Sequence, residues 1–162
     1  MRTLALASLL LLAVGVAVAA AAAAQPVPAP VERQIAKRAG IESYTPARMM
    51  TGFHYGRWQY VPGELRIWFS NRAHWEVEFV VTPRLTADCA AGRQKTFQLD
   101  GNKVYWSQTT DPSVDRYQQQ AWRCVESPSG RWMRLVAMSP QPPTKLADVG
   151  LGIVVASGRS IR

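Results

Sequence analysis

The chain has few of the residues from which catalytic and metal-binding sites are most often built. It contains two histidines, His54 and His74, and two cysteines, Cys89 and Cys124. A structural zinc site takes four ligands, so a Cys/His site would need all four of these residues together. We therefore expect no metal site and no bound cofactor.

Sequence patterns of several enzyme classes are missing as well. There is no Gly-x-Ser-x-Gly nucleophile elbow, no His-Glu-x-x-His motif and no glycine-rich phosphate-binding loop. Glu76 and Glu78 lie two residues apart on one predicted strand, and paired carboxylates can hydrolyse glycosidic bonds. Arg66 on the neighbouring strand makes a solvated ion pair the simpler interpretation. We expect no enzyme, with a small secreted hydrolase that uses these carboxylates as one alternative.

Charge is missing from the first part of the chain. After the basic Arg2, no charged residue lies between Leu4 and Ala24, and this stretch passes from leucine-rich to alanine-rich. A basic start, an apolar core and small residues before a cleavage site are the features of a secretion signal. We predict that residues 1–24 are a signal peptide and that the remaining chain is secreted, periplasmic or part of the cell envelope. Retention as a membrane anchor is the alternative, since the stretch could just span roughly 30 Å of hydrocarbon.

Export decides how the two cysteines are interpreted. Disulfides persist in oxidising compartments, and an exported chain with an even number of cysteines is expected to pair them. We predict a disulfide between Cys89 and Cys124. In the chain-entropy description it would stabilise the fold by roughly 4 kcal/mol.

Acidic residues are scarce relative to basic ones. The chain has 19 lysines and arginines against 11 aspartates and glutamates, and a formal net charge of +8. Removal of the signal peptide takes away only the single positive charge of Arg2. A basic surface favours an anionic polymer, a glycan or an acidic protein as the partner. Export argues against nucleic acid, and we expect a membrane partner only if the apolar segment is retained as an anchor.

The chain beyond residue 24 predicts one β-rich domain. Residues 25–43 are predicted as a Pro-rich linker with a weak, loosely docked helix at 31–39, residues 44–158 as a single disulfide-bonded domain, and residues 159–162 as a tail. Alternation of apolar and polar residues, the signature of a half-buried strand, is clearest at 73–82. The seven predicted strands are roughly 54–61, 64–70, 73–82, 95–99, 103–108, 118–125 and 131–138. Most of the six tryptophans are expected in the core: Trp58, Trp68, Trp75, Trp106, Trp122 and Trp132.

Three connections set the predicted register of these strands. The apolar faces of 64–70 and 73–82 match only if the loop around Asn71 has an odd number of residues, three or five, because a one-residue slip exchanges the faces. Asn71 would supply the left-handed conformation that such a loop needs. Four-residue turns are predicted at 100–103 and at 127–130, where proline and glycine favour a type I turn.

The last part of the domain predicts a helix. Leu146, Val149 and Ile153 form a stripe at helical spacing, and the glycines among them would let a helix over 144–156 lie close on a sheet. The alternative is a shorter helix followed by a strand at 153–156. The expected fold is therefore α+β, a curved antiparallel sheet of six or seven strands with a C-terminal helix packed on it. A small closed β-barrel is the alternative architecture.

The predicted register brings basic and aromatic side chains together on the outward face of the sheet. Arg123 is placed opposite Arg134, and Val125 opposite Trp132, with Arg131 beside it. Like charges across a strand pair are unfavourable unless an acid or a bound anion lies between them. A tryptophan ring between arginines can stack on a ligand while the guanidinium groups hold its carboxylate or phosphate.

A second pair of the same kind is predicted at Arg66 and Trp68. Together the six residues indicate a non-catalytic secreted or cell-envelope domain that binds an anionic, glycan or protein partner through an aromatic and basic sheet face. The alternative is a structural or accessory envelope protein without a ligand site.

Overall fold

A computed structural model describes residues 25–85, 95–111, 116–140 and 147–161. The predicted signal peptide and Cys89 lie outside the described residues. The helices are α1 (Ala29–Ala39) and α2 (Ala147–Ala156), with a 3-10 turn at Gly40–Glu42. The strands are β1 (Tyr44–Pro46), β2 (His54–Val61), β3 (Glu64–Ser70), β4 (Glu76–Pro83), β5 (Lys95–Leu99), β6 (Asn102–Asp111), β7 (Arg116–Glu126), β8 (Trp132–Ser139) and β9 (Gly158–Ser160).

Seven of these strands form one antiparallel sheet in the order β2-β3-β4-β8-β7-β6-β5. β2 and β5 lie at its two edges, so the sheet is open and the barrel alternative is wrong. All seven strands lie where the alternating pattern predicted them, with bounds that differ by three residues or fewer. Because α2 packs on this sheet, the α+β prediction is confirmed.

A second, two-stranded sheet joins β1 to β9. Tyr44 pairs with Ser160, and Pro46 pairs with Gly158. Neither strand was predicted, because three residues are too few to display a periodic pattern. β9 begins at the end of the predicted domain and continues into the residues that we expected to form a tail.

The side of the sheet that packs against α1, α2 and β1, here called the inner face, carries the main core. Leu65 pairs with Val81 and Phe69 with Val77, and all four side chains are fully buried. Each such side chain stabilises the fold by about 1.5–3 kcal/mol relative to its exposed state. The predicted inward faces of β3 and β4 are therefore confirmed.

The connection between β3 and β4 has the predicted odd length, five residues, since the last pair of the ladder is Ser70 and Glu76. The left-handed residue is His74, with φ 59°, and not Asn71 as predicted. The Asn71 Oδ1 instead accepts hydrogen bonds from the backbone N–H groups of Ala73 (2.9 Å) and Trp75 (3.0 Å). Asn71 thus shapes the loop with its side chain, as short polar residues often do in turns.

The C-terminal segment forms one helix, α2, which lies across β5, β6, β7 and β8. Leu151, Val154 and Val155 are fully buried. A Cβ atom at Gly152 would lie 2.7 Å from Cε2 of Phe97, so only glycine allows this close approach. The single-helix prediction is confirmed, and the alternative strand at 153–156 is wrong.

Helix α1 is better packed than expected. Ile35 is fully buried, Ala39 nearly so, and Val27 of the preceding linker is also fully buried. The Glu32 carboxylate accepts hydrogen bonds from Nη2 of Arg159 (2.8 Å) and Oγ1 of Thr45 (2.7 Å). These contacts tie the helix to both strands of the small sheet, so the helix predicted as loosely docked belongs to the core.

The turn between β5 and β6 has two residues instead of the predicted four. Asp100 and Gly101 both have positive φ, 50° and 74°, and Leu99 pairs with Asn102. This is the type I′ geometry that an Asp-Gly pair favours. The predicted and observed turns both have an even number of residues, so each side chain lies on the predicted face of the sheet. Each β5 residue, however, pairs with the β6 residue two positions before the predicted one; Leu99, for example, pairs with Asn102 and not with Val104.

The turn between β7 and β8 is one residue longer than predicted, and the consequence is larger. Gly130 is left-handed, with φ 76°, and Ser127 N–H donates a hydrogen bond to the Arg131 carbonyl (2.8 Å). The register therefore slips by one, which exchanges the two faces of one strand relative to the other. Arg123 lies opposite Leu135 and not opposite Arg134, so the predicted arginine pair is wrong.

Candidate functional site on the outer face of the sheet

The side of the sheet opposite α1 and α2, here called the outer face, carries most of the predicted binding residues. The observed register places Trp132 opposite Glu126, Arg134 opposite Cys124, and Val136 opposite Trp122. Val80, Trp122 and Val136 form a small buried cluster of their own on this face. The outer face is thus apolar at its centre and basic toward one end.

A ladder of cations and rings crosses β6, β7 and β8 on this face. We call Lys103, Tyr105, Trp122 and Arg134 the outer ladder. The Tyr105 and Trp122 rings stack with centroids 5.8 Å apart and an interplanar angle of 17°. The Arg134 guanidinium lies 4.7 Å from the Trp122 centroid, and the Lys103 ammonium lies 5.3 Å from that of Tyr105. A cation over a ring gains about 0.5–1 kcal/mol at an exposed site, so the rings favour these positions for the two charges.

Further cations gather where β4 ends and β8 begins. Arg84 donates its backbone N–H to the Trp132 carbonyl (3.1 Å), and both Arg84 and Arg131 are exposed. Trp132 is half-buried between them. β7 and β8 contribute one acidic residue between them, Glu126. We call Arg84, Lys103, Arg131, Trp132 and Arg134 the basic patch.

The part of the outer face formed by β2, β3 and β4 has a different charge arrangement. The Arg66 guanidinium binds Glu64 (2.5 Å) and Glu78 (2.9 Å), so its charge is neutralised. The hydrogen bond that Arg66 donates to Glu64 is the main reason that the pKa of Arg66 is raised above its ordinary value. The Arg57 guanidinium lies 4.3 Å from the Trp68 centroid, and Trp68 is 9% exposed. Arg66 and Trp68 therefore share the face, but they form a separate, internally paired group.

Arg123 does not contribute to this surface, because it lies on the inner face. Its Nε donates to the Val155 carbonyl (2.7 Å), its Nη1 to Asn102 Oδ1 (2.6 Å), and its Nη2 to the Gly158 carbonyl. Burial lowers the pKa of this guanidinium below its ordinary value. Arg123 holds the end of α2 to the sheet, where a positive charge also complements the helix dipole.

The structure brings together three of the six predicted residues, Arg131, Trp132 and Arg134. Sequence reasoning missed Arg84 and Lys103, which lie at strand ends. The signal that would have found the correct face is Gly130. The five residues between Glu126 and Trp132 contain a three-residue loop, 128–130, which is closed by Ser127 and Arg131 and ends in the left-handed Gly130. Such a loop is a common hairpin connection, and it would have set the observed register.

The carboxylates and the cysteine singled out in the sequence lie in ordinary structural surroundings. Glu78 forms the ion pair with Arg66 that the strand pattern predicted. Within the described ranges, no group of three or more His, Cys, Asp or Glu residues could hold a metal ion. Cys124 lies on the outer face, and the described part of the chain contains no free cysteine. Because Cys89 lies outside the described residues, its pairing with Cys124 stays a prediction.

Comparison with known proteins identifies no relative: no family model, no curated protein and no solved structure matches the chain. In the part of the chain that the structure describes, no helix is long and apolar enough to cross a membrane.

Proposed function

We propose that this chain is an extracytoplasmic binding domain that holds an anionic polymer, such as an acidic glycan, on its basic patch. The proposal includes export by residues 1–24 and the Cys89–Cys124 disulfide. The observation that supports it most directly is the charge of one end of the outer face. There, four cations lie beside a half-buried tryptophan, and β7 and β8 together contain a single acidic residue, Glu126.

The spacing of the cations favours a polymer over a small anion. Arg134 and Lys103 lie on β8 and β6, with β7 between them. Because neighbouring strands are about 4.8 Å apart, the two strands are separated by about 10 Å. A ligand that reaches both must carry repeated charges across the strands. Each exposed ion pair contributes only about 0.2–1 kcal/mol, so affinity has to come from several contacts and will fall with added salt.

Charge reversal on the patch tests the proposal. The variant Arg84→Glu with Arg131→Glu changes two exposed patch residues, and Arg33→Glu with Arg38→Glu makes the same charge change on α1. We expect the patch variant to lose at least about tenfold in affinity for heparin, which corresponds to about 1.4 kcal/mol. The α1 variant should lose much less. Equal losses in two folded variants would show that net charge alone attracts the polyanion, and would contradict a site on the outer face.

The variant Trp132→Leu tests whether the patch recognises sugar rings in addition to negative charge. A ring that stacks on sugars should matter for heparin and not for polyphosphate, which has no sugar. We expect weaker heparin binding and unchanged polyphosphate binding, measured by calorimetry at one salt concentration. Unchanged binding of both polymers would contradict glycan recognition by the Trp132 ring and would leave only the recognition of negative charge.

A further inference from the structure

A groove lies beside the end of α2, away from the outer face. It encloses about 540 Å³, and its lining combines apolar side chains with a few polar groups. Pro26, Met49, Met50, Phe53 and Ile153 provide the apolar surface. Ligand sites in proteins typically have volumes of about 300–1,000 Å³ and this kind of lining.

The wall that contains Met49 and Met50 is fastened to the rest of the fold. Ala47 N–H donates to the Ser157 carbonyl (3.1 Å), and Arg48 N–H donates to Ser157 Oγ (3.0 Å). Met50 lies over Gly150 of α2, where a Cβ atom would come within 2.4 Å of the Met50 sulfur. The groove is therefore largely formed before any ligand arrives.

Gln25 and Pro26, which precede α1, also line the groove, and the chain there is fixed. It is held in place by Val27, which is fully buried, and by the start of α1, where Val31 N–H donates to the Pro28 carbonyl (2.9 Å). Methionine side chains are flexible and polarizable, so Met49 and Met50 can adapt to an apolar chain that lies in the groove.

The polar groups of the groove favour a carboxylate. Arg48 and His54 both line it, and each is exposed at its rim. Arg48 forms an ion pair with Asp100. A guanidinium has five N–H donors, so it can hold Asp100 and a second carboxylate at the same time. Among the described residues that line the groove, none is acidic.

We propose that this groove binds a free fatty-acid-like molecule, with its acyl chain against Met49, Met50 and Phe53 and its carboxylate at Arg48 and His54. This site is separate from the basic patch, and it does not depend on the function proposed for the outer face.

The methionine methyl groups offer a direct test on the purified full-length protein. With methyl-¹³C methionine, decanoate added below its micelle concentration should shift the Met49 and Met50 signals saturably. Met133, which is fully buried in the core, and Met138, which lies on the outer face, serve as internal controls. Shifts that appear first at Met138, or no saturable shift at Met49 and Met50, would overturn the proposal.

Head-group and residue variants test the carboxylate. We expect decyltrimethylammonium to bind at least fivefold more weakly than decanoate, and Arg48→Gln to weaken decanoate at least fivefold with little change for decanol. Arg38→Gln removes the same charge from an exposed position on α1 and should change neither. If Arg48→Gln fails to fold, Ala47→Phe, which fills the groove, should abolish the methionine shifts. Equal affinity for the cationic amphiphile, or persistent shifts in Ala47→Phe, would contradict the site.

Discussion

Arg123 and Arg134 lie on neighbouring strands, but the two faces of the sheet hold them in opposite ways. On the inner face, Arg123 donates to the carbonyls of Val155 in α2 and Gly158 in β9, and to Asn102. On the outer face, Arg134 lies over the Trp122 ring, half-exposed, at one end of the outer ladder. The same residue type is thus a structural tie on one side and a surface charge on the other.

The number of basic residues on a sheet therefore does not tell how many of them are available to bind an anion. The charge of Arg123 is used by backbone carbonyls, and that of Arg66 by Glu64 and Glu78. Arg84, Lys103 and Arg131 of the basic patch are exposed to solvent. The site is therefore decided by the face that each arginine occupies and by the acids beside it. For Arg123 and Arg134, a single turn residue, Gly130, sets the two faces.

The largest expected effect concerns the predicted disulfide, which would anchor the outer face at Cys124. Replacement of both cysteines, Cys89→Ser with Cys124→Ser, should lower the free energy of unfolding by about 4 kcal/mol, because the unfolded chain loses a cross-link. Urea denaturation of the variant and of the reduced parent measures this loss. If reducing agent leaves the parent midpoint unchanged, the cysteines are not paired.

The next effect is on the inner face. Arg123→Met removes three hydrogen bonds and leaves the Val155 and Gly158 carbonyls without this donor, so we expect a loss of about 3 kcal/mol. Arg134→Met on the outer face removes a cation–ring contact and should cost about 1 kcal/mol or less. Urea denaturation of the two variants compares the faces directly. Equal losses would contradict the distinction between a structural and a surface arginine.

The strands and the helix could be predicted from the sequence because their signals are repeated many times. Apolar alternation in β3 and β4 specifies both the faces and the odd loop between them. The site depended on a single residue, Gly130, whose left-handed conformation adds one position to a turn. The burial of Val27 and the pairing of β1 with β9 join distant parts of the chain, and no local pattern contains that information.

A smaller effect is expected where α2 approaches the sheet. Gly152→Ala places a Cβ atom 2.7 Å from the Phe97 ring, and such overpacking costs about 1–3 kcal/mol. Alanine recovers up to about 1 kcal/mol of helix propensity, so the net loss should be about 1 kcal/mol. The same change at Gly101, in the turn between β5 and β6, serves as a control for backbone strain alone, since no atom lies within 4 Å of a Cβ there. A stabilised Gly152→Ala would show that α2 can shift on the inner face at no cost.

The smallest effect is a pH dependence of the inner face at the edge strand β2. Burial raises the pKa of Tyr55 above its ordinary value of 10.0, and its ring packs edge-on against Phe69 at 6.4 Å. The unfolded chain therefore releases the Tyr55 proton more readily than the folded protein does. Stability from this group is fully present below pH 10 and is lost as the pH rises through the folded pKa.

Tyr55→Phe should lose less stability than the parent between pH 9 and 11, measured by urea denaturation at each pH. Tyr105→Phe on the outer face is the matched control, and an equal change in both variants would remove the contrast between the faces.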